Sequence, residues 1–269
     1  MQLPETDASL PHPDLRWRRL IRYGIDSLVR PQAWQRYLRL RSAMHWSEQI
    51  STEPLECDDL FIVTSCTNPG DTEEAVNHNS AHSQWQRGEE LLATFDSVRR
   101  HYPGAIIVNL ENSKIASELA KRIHSKCDQQ RDYSADAAVR ESRTFANKGV
   151  PWLIKLLKFL HEEHSAIHAT RIHLLCGRYL LTDNVLAKLS HPGSYLRYYP
   201  QYDNVSTRYI GYQRVGISEI REALRCVLRP MVFSRSAEDV IHLPGRFPKH
   251  YLSHIGVSGL VNGKDPIEE

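Results

Sequence analysis

Four short stretches of this 269-residue chain carry side chains suited to gripping a polar, charged ligand. Glu111-Asn112-Ser113 sets a carboxylate beside an amide and a hydroxyl. A carboxylate there can accept hydrogen bonds from ribose hydroxyls or a uracil-like base edge. Thr64-Ser65 offers two hydroxyls and their backbone groups to such a base. Cys176-Gly177-Arg178-Tyr179 contains a guanidinium, which binds phosphate oxygens through parallel N–H groups. Asn147-Lys148-Gly149 precedes a helical pattern, and the start of a helix favours anions. Each stretch also has a plainer reading. Arg178 can serve an ion pair, Lys148 can stand exposed, and Gly177 can be a turn glycine with positive φ. Glu111 can close a turn, and Thr64 and Ser65 can cap a strand.

The elements needed to position these residues are legible around them. Leu60–Thr64 is a short apolar, β-rich run and predicts a buried parallel strand. A turn at Asn68-Pro69-Gly70 and a polar loop over Asp71–Ser83 follow. Trp85–His101 reads as a helix with Leu91, Leu92, Phe95 and Val98 on its buried stripe, stopped by Tyr102-Pro103-Gly104. Ala105–Leu110 predicts a second buried strand, and Lys114–Lys126 a second helix. Asp128–Thr144 is polar and has no clear period. Val150 to about His164 predicts a strong helix with Pro151 in its first turn. Arg171–Leu175 is a third strand, Tyr195–Tyr212 reads as antiparallel strands, and Ser218–Leu228 as a helix. The alternation predicts an α/β fold: a mostly parallel central sheet flanked by helices, in the Rossmann-like manner. Ligands of such sheets bind beyond the carboxyl ends of the strands. That rule selects the loops at 64–68, 111–113 and 176–179.

Bulk properties narrow the classes. A formal charge of +2 is too small for a nucleic-acid binder acting through bulk electrostatics, so no nucleic-acid partner is expected. The five cysteines have no C-x-x-C pair and fit a reducing compartment as small buried side chains. No apolar run reaches the length of a membrane span, and the first fifteen residues lack the apolar core of a signal peptide, so a cytoplasmic location is expected. The N-terminus to Pro13 reads as a loose tail. Residues 15–41 then hold eight arginines against one acid, Asp26. Trp17, Leu20, Ile21, Ile25, Leu28 and Val29 recur at helical spacing, and Trp34, Tyr37 and Leu38 repeat the style after Pro31. This basic helical arm fits two arrangements: a helical pair packed on the domain, or an interfacial helix resting on an anionic membrane surface. The expected organisation is a tail and basic amphipathic helices over 1–55, then one α/β domain over 56–269.

Taken in order, the motifs resemble the nucleotide-binding half of GT-A-type glycosyltransferases, the nucleotide-diphospho-sugar transferase fold. The likeness rests on Phe61-Ile62-Val63-Thr64-Ser65, the helix with Thr94-Phe95-Asp96-Ser97-Val98-Arg99, Glu111-Asn112-Ser113, Asn147-Lys148-Gly149 and Gly177-Arg178-Tyr179. It covers roughly residues 58–185 and extends faintly to His254–Gly259. The resemblance implies transfer of a sugar from a nucleotide-sugar donor to a glycan or lipid-linked acceptor. It implies donor binding by Thr64, Ser65, Glu111, Asn112, Asn147, Lys148, Gly149, Gly177 and Tyr179. Arg178 would stabilise the diphosphate, and Glu238, Asp239 or His254 would supply a base if the anomeric centre inverts. One departure matters. Most GT-A enzymes carry an Asp-x-Asp that holds Mg²⁺ or Mn²⁺, and no Asp-x-Asp occurs in this chain. The expectation is therefore transfer without a divalent metal, Arg178 and Lys148 offsetting the phosphate charge. A module that keeps this fold and only binds a nucleotide or a partner is the other reading. A nucleotidyltransferase would need paired metal-binding carboxylates, which the sequence does not display. P-loop, G-x-G-x-x-G and G-x-S-x-G signatures are absent. The His161-Glu162-Glu163-His164 run misses metalloprotease spacing and reads as a solvated helix end. Tyr195, Tyr198, Tyr199 and Tyr202 read either as a stacking platform for an acceptor sugar or as β-rich core.

Overall fold

The computed structural model describes residues 31–47, 54–71, 82–163, 165–199, 204–234, 237–238, 240–241, 247–261 and 265–268. The expected tail, the arginine-rich helix up to Arg30, and most of the loop after Asp71 fall outside them. The elements are α1 (Pro31–Ala43), β1 (Leu55–Ser65), α2 (Gln84–His101), β2 (Ile106–Glu111), α3 (Ser117–His124), β3 (Gln129–Asp132) and α4 (Ala137–Ser142). They continue with α5 (Gly149–Glu162), β4 (Ile167–Cys176), β5 (Tyr179–Leu181), β6 (Gly193–Tyr199), β7 (Asn204–Gln213), α6 (Ile217–Phe233), β8 (Lys249–Leu252), β9 (Val257–Val261) and β10 (Asp265–Glu268).

Seven strands form one sheet in the order β3-β2-β1-β4-β7-β6-β8. The pairs β1–β2, β1–β4, β2–β3 and β6–β8 are parallel, whereas β7 runs against both β4 and β6. The chain is thus α/β with a mostly parallel sheet between helices. A small antiparallel sheet, β10-β9-β5, stands beside it.

Two-residue alternation along β1 divides the core. Leu60 and Ile62 join one buried cluster with Leu153, Leu156 and Leu157 of α5 and Ile220 and Leu224 of α6. Phe61 and Val63 join the other with Leu91, Phe95 and Val98 of α2 and Leu119 of α3. Both faces of β1 are covered, which explains its unbroken apolar run. Ser83 begins α2 through a capping box with Gln86. Tyr37 and Leu40 of α1 enter the α5–α6 cluster, and Arg36 and Arg39 reach Thr144 O and Glu141. The described part of the arm is therefore packed on the domain.

The tyrosine-rich region forms antiparallel strands as expected, but Tyr195 and Tyr198 are core residues, stacked on His250 and packed near Tyr251. Buried, these two make no acceptor platform; Tyr199 is half-buried and Tyr202 lies outside the described residues. His161 bonds Trp46 O, and Glu162 and Glu163 pair with Lys158 and Arg131.

A buried polar cluster is built on Asp59, which lies about 20 Å from the carboxyl end of β1 by the rise per residue of a strand. Arg171 grips Asp59 with two hydrogen bonds of 2.5 and 2.7 Å. His173, stacked on Phe61 at 3.9 Å, places Nε2 3.0 Å from Asp59 and Nδ1 2.5 Å from the Tyr209 hydroxyl. A carboxylate only accepts, so Nε2 carries the proton and Nδ1 accepts from Tyr209. Burial alone pushes the Asp59 carboxyl up, but hydrogen bonds and charge from Arg171 and His173 outweigh it and hold it at about 2. Burial holds the His173 imidazole below its usual range, against the pull of Asp59. Both groups bind protons less readily folded than unfolded. Stability should therefore fall as pH drops below about 6.5, where the unfolded histidine charges, and again below about 3.9, where the unfolded carboxylate does. Asp59→Asn should cost about 2 kcal/mol at neutral pH and much less near pH 2.5. Urea midpoints across pH check this, and an equal loss at both ends refutes it.

Candidate functional site

The strand order reverses between β1 and β4: the chain goes from β1 to β2 and β3 on one side, then returns to β4 on the other. Beyond the carboxyl ends of β1 and β4 a cleft of about 520 Å³ opens. Open α/β sheets bind ligands at such a reversal. Thr64, Ser65, Asn112, Asn147, Lys148, Gly149, Gly177, Arg178, Tyr179 and Glu238 line it. Glu111 and His254 are not among the lining residues, and Asp239 lies outside the described residues.

Glu111 is fully buried behind the cleft. Its Oε1 accepts from the backbone N–H of Thr67, Asn112 and Ser113 and from the Ser113 hydroxyl, at 2.5–3.1 Å. Its Oε2 accepts from the hydroxyls of Ser65 at 2.7 Å and Thr67 at 2.6 Å. With six donors already in place, the carboxylate ties the loop after β1 to the loop after β2 and does not face the cleft. The same bond turns the Ser65 hydroxyl inward, and Thr64 Oγ1 makes only a 4.0 Å contact with Cys176 Sγ. His254 sits between β8 and β9, where it acts on Asp183.

Several candidates shape the cleft through backbone packing. Asn147 Oδ1 accepts from Gly149 N at 2.8 Å while its amide nitrogen donates to Met231 O at 2.8 Å, locking the start of α5 to the end of α6. A Cβ on Gly149 would lie 2.4 Å from Ala237 Cβ. Gly177 has no positive φ; a Cβ there would meet Leu91 Cδ1 at 2.5 Å, and its N–H donates to Thr64 O at 2.9 Å. The glycine lets the β4–β5 turn lie flat on β1 and α2.

Arg178 and Lys148 line the cleft, and neither side chain has an ion pair or hydrogen bond among the described residues. Four further cations line it: Arg87, Arg143, Lys155 and Arg208. Arg143 is anchored by the Pro69 and Asn112 carbonyls and the Asp71 carboxylate. Arg87 donates to Cys66 O at 3.1 Å; burial and then the charge of Arg178 lower its guanidinium pKa. Arg208 bonds the Tyr199 hydroxyl and lies 5.6 Å over the Tyr179 ring. Lys155 donates to Ser65 O. Glu238, the one carboxylate among the described lining residues, accepts from the Thr207 hydroxyl at 2.9 Å. Burial raises the thiols of Cys66 and Cys176, so both stay protonated.

Sequence reasoning missed Arg87, Arg143, Lys155 and Arg208. Arg208 precedes the part of β7 that pairs with β4, and β7 runs against β4, so this end of β7 arrives where β4 finishes. The one available signal was Lys155, a lone cation inside Trp152-Leu153-Ile154-Lys155-Leu156-Leu157. A helix apolar on nearly every side is buried, and a buried ammonium needs a partner.

Mg²⁺ and Mn²⁺ favour clustered oxygen ligands. One carboxylate among six cations does not fit such an ion, and no group of three His, Cys, Asp or Glu among the described residues is placed to hold one. The arrangement suits an anion.

No protein-family model matches the chain, and no curated protein matches its sequence. Among solved structures it is similar to an active-site mutant of LgtC, at 10% identity and a TM-score of 0.42 over 71% of this chain and 72% of that one. It is also similar to the bifunctional glycosyltransferase WbbM, at 10% identity and a TM-score of 0.40; 71% of this chain spans 39% of that one. Mouse xyloside xylosyltransferase 1 overlaps at 11% identity and a TM-score of 0.34, over 73% and 78% of the two chains. Superpositions this loose carry no weight beside the strand order and the cleft.

Proposed function

We propose that the chain is a GT-A-type glycosyltransferase that moves a sugar from a nucleotide-sugar donor to a glycan or lipid-linked acceptor without a divalent metal. The observation that carries this reading is the cleft at the β1–β4 reversal, walled by six cations and one carboxylate beside the start of α5. Thr64 and Asn112 would meet the nucleoside, and Arg178 and Lys148 the diphosphate. Fixed cations and a helix N-terminus stabilise a departing phosphate electrostatically. Glu238 is the base candidate that lines the cleft; Glu111 holds the loops that shape it. The test is donor turnover in excess EDTA. Transfer should persist, and a complete loss restored by Mn²⁺ rejects metal independence.

The single carboxylate, already hydrogen-bonded to Thr207, also favours a second reading: a nucleotide- or partner-binding module. Nucleotide binding with neither hydrolysis nor transfer of any donor would mark it.

The same proposal places the protein in the cytoplasm, against the inner face of a membrane. Among the described residues no helix is long and apolar enough to cross one. Trp34 and Leu38 of α1 stand 37% and 49% exposed, flanked by exposed Arg41 and Arg229. Tryptophan beside arginine suits an anionic headgroup layer. Trp34→Glu with Leu38→Glu should abolish cosedimentation with anionic vesicles; unchanged cosedimentation, or none by the unaltered protein, removes the membrane from the proposal.

A further inference from the structure

Lys155 is 3% exposed, yet it lines the cleft. An ammonium carries three N–H donors. One reaches Ser65 O at the end of β1, and the described residues supply no other hydrogen bond to it. The nearest acid by charge, Glu111, already accepts from six other donors. Two more groups of the same wall are short of partners: Asn112 Oδ1 and Trp152 Nε1 are buried without a hydrogen bond. A buried charge is costly unless it is both paired and hydrogen-bonded. Here two buried donors with unused N–H groups, Lys155 and Trp152, stand in the wall of one cleft, beside the unused acceptor of Asn112.

We infer that Lys155 is the floor of an oxyanion subsite, and that its two unused N–H groups donate to a phosphate group of the bound ligand. Ser65 O and the α5 backbone hold the ammonium in place before the ligand arrives, so little reorganisation is needed on binding. The phosphate chemistry follows from the cation and its spare donors. That the phosphate belongs to a nucleotide-sugar rests on the glycosyl-transfer reading.

The experiment is calorimetric titration of the full chain with inorganic pyrophosphate, then with UDP, GDP, CDP and dTDP, on the unaltered protein and on Lys155→Met. Methionine matches the stem and removes the charge. Pyrophosphate should bind the unaltered protein, and Lys155→Met should weaken it at least tenfold, with a thermal midpoint equal to or above the parent's when unliganded. Lys155→Gln gives the same readout should the methionine variant not fold. Undiminished pyrophosphate affinity in a folded variant overturns the subsite, as does no binding of pyrophosphate or any nucleoside diphosphate to the unaltered protein. If pyrophosphate binds through Lys155 but no nucleoside diphosphate binds more tightly, the subsite stands and the nucleotide-sugar reading fails.

Discussion

Glu111→Ala should cost the folded protein about 4 kcal/mol, from the loss of a buried charge that satisfies several donors at once. Six donors converge on this carboxylate, three of them backbone N–H groups that cannot turn elsewhere. Truncation leaves them facing a cavity with no solvent-exposed side, since the residue is fully buried. Lys155 and Arg143, whose charges also lie near it, lose a counter-charge. Glu111→Gln keeps the volume but replaces one acceptor oxygen with a donor, and should cost about half as much. Urea unfolding of the three proteins at neutral pH measures both. A loss under about 1 kcal/mol for the alanine variant would mean that the loops close without the carboxylate.

Arg178→Ala should reduce donor turnover by about a hundred- to a thousandfold, the range seen when one charge-stabilising group is removed from a transition state. The folded protein should not notice. The side chain has no ion pair or hydrogen bond among the described residues, and its charge works against neighbouring Arg87. The thermal midpoint should therefore stay level or rise slightly. Arg178→Lys keeps the charge but loses the planar fork, so it should fall between. Initial rates with the donor that shifts the melting temperature most provide the measurement. An alanine variant within twofold of the parent removes Arg178 from the chemistry, and a large drop in melting temperature with it would assign the arginine to the fold.

The fold was legible where burial on both faces imposes an uninterrupted apolar run, as at Leu60–Thr64 and Ala105–Leu110. The structure extends β1 back to Leu55 and β4 back to Ile167, through Asp58, Asp59 and Thr170. Polar residues there pair across the strands, and no periodicity in one strand reveals a partner in another. β3, with the sequence Gln129-Gln130-Arg131-Asp132, is an edge strand and has no apolar face to betray it. α6 runs on to Phe233 with Pro230 inside it, past the point where the sequence pattern ends it.

The site was half legible for a related reason. Strand-end reasoning finds loops, and it found those around Thr64, Asn112 and Arg178; the helix-start signal added Lys148. It does not report which way a side chain turns. Glu111 and Ser65 carry ligand-binding groups and spend them on each other. Gly177 sits in a turn as the sequence suggests, but close packing rather than a positive φ demands the glycine. Arg87 and Lys155 reach the cleft from helices, far along the chain from the end of β1 that they bond.

The six guanidinium and ammonium groups gathered at one end of the sheet repel one another, Arg143 least because the Asp71 carboxylate pairs with it. Mobile ions screen such repulsion within a Debye length, so salt weakens it. Moderate ionic strength should toughen the unliganded chain while loosening its grip on any anion. A buffer chosen for storage is then a poor one for measuring affinity.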